Sequence, residues 1–275
     1  IAISSNGTVF QTGLYDQMVM IGNDILENIA TSAFVSAIDP SSPTPKWSKG
    51  IMGAAQIKAI AATDDAVFVA GKFADDIVIG SKTFTGTPFS HNLVNAFVAK
   101  YSLDGTLIAA ESIMPHKVSA YADLTDEQYD SDLAVTPTAI ADLNGKVYVS
   151  FNYLGGYNIG DLSVDGTLKN SFGYYDNVCV GIVAFAESDL KGASTVFDCR
   201  NAVAINTNGL GPQSICMATD GKEIFAGIFA SGVNTLNING TSKEVAFKTA
   251  AEEGDDTEYG AIMVCINEGK VVKIG

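Results

Sequence analysis

One pattern recurs along the chain and constrains its fold more than any other feature. It is an apolar strand, a two-residue turn, a second apolar strand, and an aromatic residue two places past a fixed position. Aligned on that position, Gly13, Gly71, Phe151 and Gly227 fall in register, followed by Tyr15, Phe73, Tyr153 and Phe229. The anchors stand 58, 80 and 76 residues apart. Periods of this size exceed those of common propeller repeats but hold four strands plus insertions. The stretch from Ala59 to Ile113 is the clearest copy and serves as the template for the others.

Between the first two strands of each copy lie Asn6-Gly7, Asp64-Asp65, Asn144-Gly145 and Asp220-Gly221. Asn-Gly and Asp-Gly supply the positive φ angles of a type I′ hairpin turn, whereas Asp64-Asp65 is expected to be strained or longer. After the anchor a short apolar piece ends near Gly22, Gly80 and Gly160, and the fourth copy drifts around Leu236 and Asn237. In the third strand Phe34, Phe97, Cys179 and Ile262 are expected to share one core position. Fourth strands are expected at Lys46 to Ile51, Leu107 to Ile113, Ser194 to Asp198 and Val271 to Ile274, with Pro40, Pro43 and Pro45 lengthening the first of the turns before them. Helical periodicity is confined to a single turn within Asp123 to Asp132.

Internal similarity at this period fits an all-β fold, a β-propeller of four-stranded antiparallel blades, better than a sandwich, which needs no repeat. The blades fall at about 1–53, 54–115, 136–200 and 211–275 of one domain spanning 1–275, with insertions at 116–135 and 201–210. Four blades close a small ring or form part of a larger one, and in the second case two apolar blade faces are left open. Residues 95–108, NAFVAKYSLDGTLI, resemble the β-propeller repeats of secreted or surface-anchored bacterial proteins. The resemblance is good over the second copy and weak over the rest. It implies the fold and an extracytoplasmic address, secreted or lipoprotein-anchored, and brings no catalytic residues with it.

Charge and cysteine content narrow the function. Lys plus Arg total 16 against 31 Asp plus Glu, a formal net charge of −15, which argues against a nucleic-acid backbone as partner. No apolar run approaches the roughly 20 residues that span a bilayer. The chain starts at Ile1 and enters a strand at once, so a processed or trimmed start is expected, which leaves room for a signal peptide or lipid anchor outside this sequence. Cys179, Cys199, Cys216 and Cys265 lack CxxC spacing, which fits buried thiols better than zinc. A Cys199–Cys216 bridge stays open at this level, because its geometry is not legible in sequence.

Up-and-down connectivity sends the short turns to one end of each blade and the long connections, 85–94, 116–135, 165–176, 201–210 and 239–259, to the other. Binding residues sit on such loops more often than on strands. Tyr121, Tyr129, Tyr157, Tyr174, Tyr175 and Tyr259, joined by Phe89 and Phe172, are the candidate ligand-binding residues, since a Tyr ring offers apolar area and a hydroxyl together. The alternative is that they fold down over blade edges. Asp123, Asp126, Glu127, Asp130 and Asp132, and a second cluster at Glu252, Glu253, Asp255, Asp256 and Glu258, would suit calcium as a hard cation, although they lack the EF-hand spacing and equally fit a solvated acidic face.

Catalytic templates find little here. His91 and His116 are expected to be isolated surface residues, no GxSxG elbow occurs, and Gly209-Leu-Gly211 lacks the third glycine and helix of a dinucleotide loop. Trp47 lies in an outer strand, in a packing role. The leading reading is a non-enzymatic extracytoplasmic module whose long-loop face engages a glycan, peptide or surface protein. The alternative is a polysaccharide-active hydrolase or lyase with paired carboxylates near the propeller axis.

Overall fold

The computed structural model describes residues 1–42, 44–87, 94–116, 133–166, 178–201, 212–231, 233–246 and 259–275. Among them every ladder is antiparallel and no helix occurs. The strands group into four repeat units. Unit 1 has β1 (Ala2–Ile3), β2 (Val9–Tyr15), a side hairpin of β3 (Met18–Ile21) and β4 (Asp24–Glu27), then β5 (Ser32–Ile38) and β6 (Trp47–Gly50). Unit 2 has β7 (Met52–Ala62), β8 (Ala66–Ile79), which runs on into a hairpin with β9 (Lys82–Phe84), then β10 (Asn95–Ser102) and β11 (Leu107–His116). Unit 3 has β12 (Ala134–Leu143), β13 (Lys146–Leu154), the hairpin β14 (Gly156–Ile159) and β15 (Leu162–Asp165), then β16 (Cys179–Ala186) and β17 (Ser194–Asn201). Unit 4 has β18 (Gln213–Thr219), β19 (Ile224–Ser231), the hairpin β20 (Val233–Ile238) and β21 (Thr241–Ala246), then β22 (Tyr259–Asn267) and β23 (Lys270–Ile274).

Within each unit the four main strands pair in chain order, as the repeat requires. The side hairpins tie the units together. β14 adds to the edge of β11, and β20 adds to the edge of β17, so unit 2 and unit 3 are each widened by a hairpin of the unit that follows. At the first junction the end of β8 pairs within its own unit, Val78 with Met52 at the start of β7, and its Ile77 and Ile79 pack in the space shared with unit 1. The apolar pieces ending at Gly22, Gly80 and Gly160 are therefore first arms of hairpins, and the segment from 239 onward includes the strand β21.

Three apolar clusters fill the spaces between units. One joins Phe10, Val35 and Trp47 of unit 1 to Val67, Val69 and Phe97 of unit 2. A second joins Phe68, Ala70 and Val98 of unit 2 to Val147, Val149 and Phe151 of unit 3. The third joins Tyr148, Val180 and Ile182 of unit 3 to Ile224, Ala226, Ile262 and Val264 of unit 4. Strands with a neighbour on each face read as unbroken apolar runs, and β10 is buried from Asn95 to Tyr101. Trp47 seals the first space: its indole Nε1 donates to the Leu103 carbonyl at 2.8 Å, and a Cβ on Gly105, at φ +85°, would stand 2.7 Å from its ring.

Registers correct two of the alignments read from sequence. Gly13 faces Phe34 and Gly71 faces Phe97, but Phe151 faces Gly181 rather than Cys179. In unit 4 the equivalent pair is Ile228 with Ile262, so the anchor is Ile228 and not Gly227. Ladder irregularities agree, since Gly71, Phe151 and Ile228 stand opposite Ile57, Pro137 and Ser214, where each inner strand bulges. One residue of slip moves a side chain to the other face of the sheet, which is why Ile224, Ala226 and Ile228 point into the core.

The turns also differ from expectation. Of the four turns between first and second strands, Asn144-Gly145 alone, at φ 53° and 72°, has both angles positive as type I′ demands, while Gly7 and Gly221 are positive without their predecessors. Asp64-Asp65 is neither strained nor lengthened. Thr63 N donates to Ala66 O at 2.9 Å, and the Thr63 hydroxyl both bonds Asp65 and accepts from Ala66 N. Among the described residues no strand of unit 4 pairs with unit 1 and no buried apolar cluster joins the two, so no closed ring is formed among them.

Candidate functional site

His116, Asp165 and Asn201 end the strands that precede segments 117–132, 167–177 and 202–211, all leaving one end of the array. Beneath that end lies a polar cluster built on unit 3. Asp198 and Arg200 alternate along β17 and so share one face of the strand. Asp198 is 1% exposed, takes a hydrogen bond from Arg200 Nε, and accepts from the Tyr153 hydroxyl at 2.5 Å. Burial raises its carboxyl above the ordinary value against the lowering pull of Arg200 and Tyr153. The same burial, and then the Asp198 charge, raises the phenol of Tyr153. Arg200 keeps part of its side chain exposed, so the floor of the long-loop end presents a held guanidinium.

Around this cluster Phe151, Tyr153 and Tyr157 form an aromatic triad, with Tyr157 edge-on to both others at 4.8 and 5.0 Å. The Tyr157 hydroxyl meets the Thr195 hydroxyl at 3.1 Å. The repeat spacing puts Tyr157 among the long-connection tyrosines, but it lies in β14, is fully buried, and packs in the space between units 2 and 3. Its ring is core, and a ligand cannot stack on it.

His116 is likewise not isolated. Its Nε2 lies 3.1 Å from Asp165 Oδ1, bridging the ends of β11 and β15, whose strands are joined through β14. The other ring nitrogen, Nδ1, is buried without a hydrogen-bond partner. A general base needs one nitrogen on its orienting carboxylate and the other open to substrate. Here the second is closed, so the pair fastens a hairpin instead of moving a proton.

The short-turn end carries a second constellation, for which no local pattern in the chain is a signal. Lys100, in the middle of an apolar strand, extends over the Phe68 ring at 5.3 Å and reaches Glu187 Oε1 at 3.1 Å and its backbone carbonyl at 3.0 Å. Asp142, near the end of the inner strand β12, has one carboxylate oxygen buried without a partner. Burial first and then the nearby Glu187 charge push its pKa up to about 6.

Of the other sequence candidates, Tyr121, Tyr129, Tyr174, Tyr175, Asp123, Asp126, Glu127, Asp130 and Asp132 lie outside the described residues, as do His91, Phe89, Phe172 and the acidic cluster at 252–258. Tyr259 begins β22 opposite Ser231. None of the four cysteines is in a disulfide; Cys179, Cys199 and Cys265 are buried and Cys216 is exposed, so no Cys199–Cys216 bridge forms. Burial raises the Cys199 thiol, which makes it a poor nucleophile. Among the described residues no three His, Cys, Asp or Glu side chains converge as metal ligands. A small cleft of about 300 Å³ opens between the β14–β15 turn and the connection from β16 to β17, lined by Glu111, Asp161 and Lys191 with Ile159 and Leu190. No protein-family model matches the chain, and no curated protein is significantly similar to it.

Proposed function

We propose that the four units are blades of a propeller-type array and that the array is an extracytoplasmic binding module. Its long-loop end engages a glycan, peptide or surface protein. The observation that carries this reading is the one-ended placement of the long connections. Segments 117–132, 167–177 and 202–211 all depart from the end floored by Tyr153, Asp198 and Arg200, while Asn144-Gly145 and Glu268-Gly269 turn tightly at the other. Tyr121, Tyr129, Tyr174 and Tyr175 belong to those segments, and tyrosine supplies flat apolar area with a polar tip. A rigid sheet array holding variable loops is a common solution for recognition. Calcium is the ion the 123–132 carboxylates would take.

Glycan-array and pull-down screens test the reading, comparing the wild type with a Tyr174→Ala/Tyr175→Ala variant. Binding by the wild type and its loss in the variant is the expected result. Identical binding by both removes the pair from the site, and no binding by the wild type to any glycan or surface extract overturns the module.

A second reading, a polysaccharide-active hydrolase, is favoured by Asp142. Burial and the nearby Glu187 push the Asp142 carboxyl up to about 6, the direction a general acid of a two-carboxyl glycoside hydrolase needs. Release of reducing sugar that Asp142→Asn abolishes would support it. Equal release by both proteins would dismiss it.

A further inference from the structure

Every unit turns its side hairpin at the same place: Gly22-Asn23, Gly80-Ser81, Gly160-Asp161 and Asn239-Gly240 each follow an isoleucine. In three units that turn is fastened to the unit's own outer strand or to the connection leading into it. A Cβ on Gly22 would stand 3.0 Å from Pro45, and Asp24 accepts from Ser48 N at 2.6 Å. A Cβ on Gly80 would stand 2.9 Å from the Leu107 side chain, and Lys82 Nζ donates to the Ala110 carbonyl at 2.7 Å. Asn239 exchanges two hydrogen bonds with the Val271 backbone, at 2.9 and 3.0 Å. Unit 3 differs. A Cβ on Gly160 would meet nothing within 4 Å, and Leu162 stands where Asp24 and Lys82 reach across. Among the described residues no hydrogen bond ties Gly160 or Asp161 to 187–193. The cleft of about 300 Å³ occupies the gap that the other units close.

The floor of the cleft is apolar and its rim is charged. Ile159 and Leu190 are buried, and Leu162 adds the hairpin side. Leu190 holds φ at 56°, a left-handed backbone that a leucine adopts against steric resistance, and such residues gather at ligand clamps and active sites. Glu111 enters from unit 2. It pairs with Val98, which belongs to the core between units 2 and 3, so its carboxyl lies on the unit 3 side of β11, with Oε1 accepting from Ser112 N at 3.0 Å. Asp161 stands on the hairpin turn and Lys191 on the facing connection, both exposed. Two neighbouring acids complete the charges: Asp189, whose carboxylate takes the Lys191 N–H at 3.1 Å, and Glu187, which is paired with Lys100. Carboxylates therefore outnumber the single lysine around the mouth. Concave apolar surface with a few convergent polar groups is the usual form of a small-molecule site, and the excess of acid selects positive charge.

We infer that this cleft binds a small molecule carrying an ammonium group on an apolar body, either a free amine or an apolar amino acid. At roughly 30 Å³ for each water-sized occupant, a volume of about 300 Å³ holds about ten non-hydrogen atoms. The apolar body lies on Ile159, Leu162 and Leu190, the ammonium meets Glu111 and Asp161, and Lys191 takes the carboxylate of a ligand that has one. β14 runs antiparallel to β11 and so carries its turn away from the end where His116 leads into 117–132. The cleft is thus separate from the long-loop end, and its ligand does not depend on what that end binds.

Ligand-observed NMR titration of the intact chain tests the assignment with three probes that share one branched body: leucine, isopentylamine and 4-methylpentanoate, which carry both charged groups, the ammonium alone and the carboxylate alone. A Kd of ~1 mM or tighter is expected for at least one of the two ammonium compounds, with 4-methylpentanoate about tenfold weaker or worse, and the tighter of the two names the source. Asp161→Lys and Glu111→Gln should each weaken ammonium binding by about tenfold or more, with urea midpoints unchanged, because Asp161 is exposed and glutamine keeps the shape of Glu111. Lys191→Ala should weaken leucine and spare isopentylamine. No binding of leucine or isopentylamine at ~10 mM, 4-methylpentanoate binding as tightly as they do, or wild-type affinity in both acidic-rim variants each overturns the inference.

Discussion

Placing a methyl group on the anchor glycines measures how tightly each unit is held by its neighbours. In unit 2 a Cβ on Gly71 would stand 2.5 Å from both the Gln56 carbonyl oxygen and the Phe97 ring. The oxygen belongs to the backbone of β7, and Phe97 is fully buried against unit 1, so neither can retreat. In unit 3 the glycine and the aromatic have exchanged strands: a Cβ on Gly181 would stand 2.7 Å from the Phe151 ring, which is itself wedged against Tyr157. In unit 1 a Cβ on Gly13 would approach the Phe34 ring to 2.5 Å, but Phe34 is only half-buried on the open face and its ring can swing outward. Overpacking a closed core costs about 1–3 kcal/mol. Gly71→Ala is therefore expected near the top of that range, Gly181→Ala near ~2 kcal/mol, and Gly13→Ala below ~1 kcal/mol. Urea unfolding with the m-value held as a control reads the series, and each ~1 kcal/mol corresponds to about 2–4 °C in Tm for a chain of this size class. Combining Gly71→Ala with Phe97→Leu should cost less than the sum of the two, because the smaller side chain relieves part of the clash. If Gly13→Ala costs as much as Gly71→Ala, the account of an open face on unit 1 is wrong.

Three other perturbations follow from the buried polar groups and thiols. The Asp142 carboxyl titrates near 6 when folded against 3.8 unfolded, so the native state keeps a proton that the unfolded chain releases, and stability falls as pH rises from 3.8 through 6. Asp142→Asn is expected to be more stable than the wild type at pH 8 by about 1 kcal/mol, after discounting for the half-buried site, and equal to it at pH ~4; a pH-independent difference would contradict this. Asp198→Ala strips the acceptor from Arg200 and Tyr153 and should cost about 3–5 kcal/mol, with Asp198→Ala/Arg200→Leu recovering part of it in thermal melts. Ellman titration should find one fast thiol, Cys216, in the folded protein and all four in urea; a second fast thiol when folded would contradict the burial of the others.

Much of the architecture was legible because the signals are local. Asn144-Gly145 needs positive φ at both positions, and only such residues reach it cheaply, so the hairpin is written in two letters. Alternation also places Asp198 and Arg200 on one face of β17, a signal that an i, i+2 acid–base pair in an apolar strand always offers. Register was harder. Gly227 carries an aromatic two residues on, as the other anchors do, yet Ile228 holds the anchor's place, because a single bulge shift is invisible in a pattern of period two. Lys100 and Glu187 lie 87 residues apart and meet only because units 2 and 3 stack.

Turn chemistry and apolar spacing within a few residues were enough to establish an antiparallel β chain, its four repeats, and the departure of long connections from one end. Packing between distant segments settled the rest: the side pieces are hairpins stitching one unit to the last, Tyr157 is core, and His116 is clamped by Asp165. It also left units 1 and 4 unjoined among the described residues. Those outcomes depend on which faces meet across tens of residues, and no local pattern encodes that meeting.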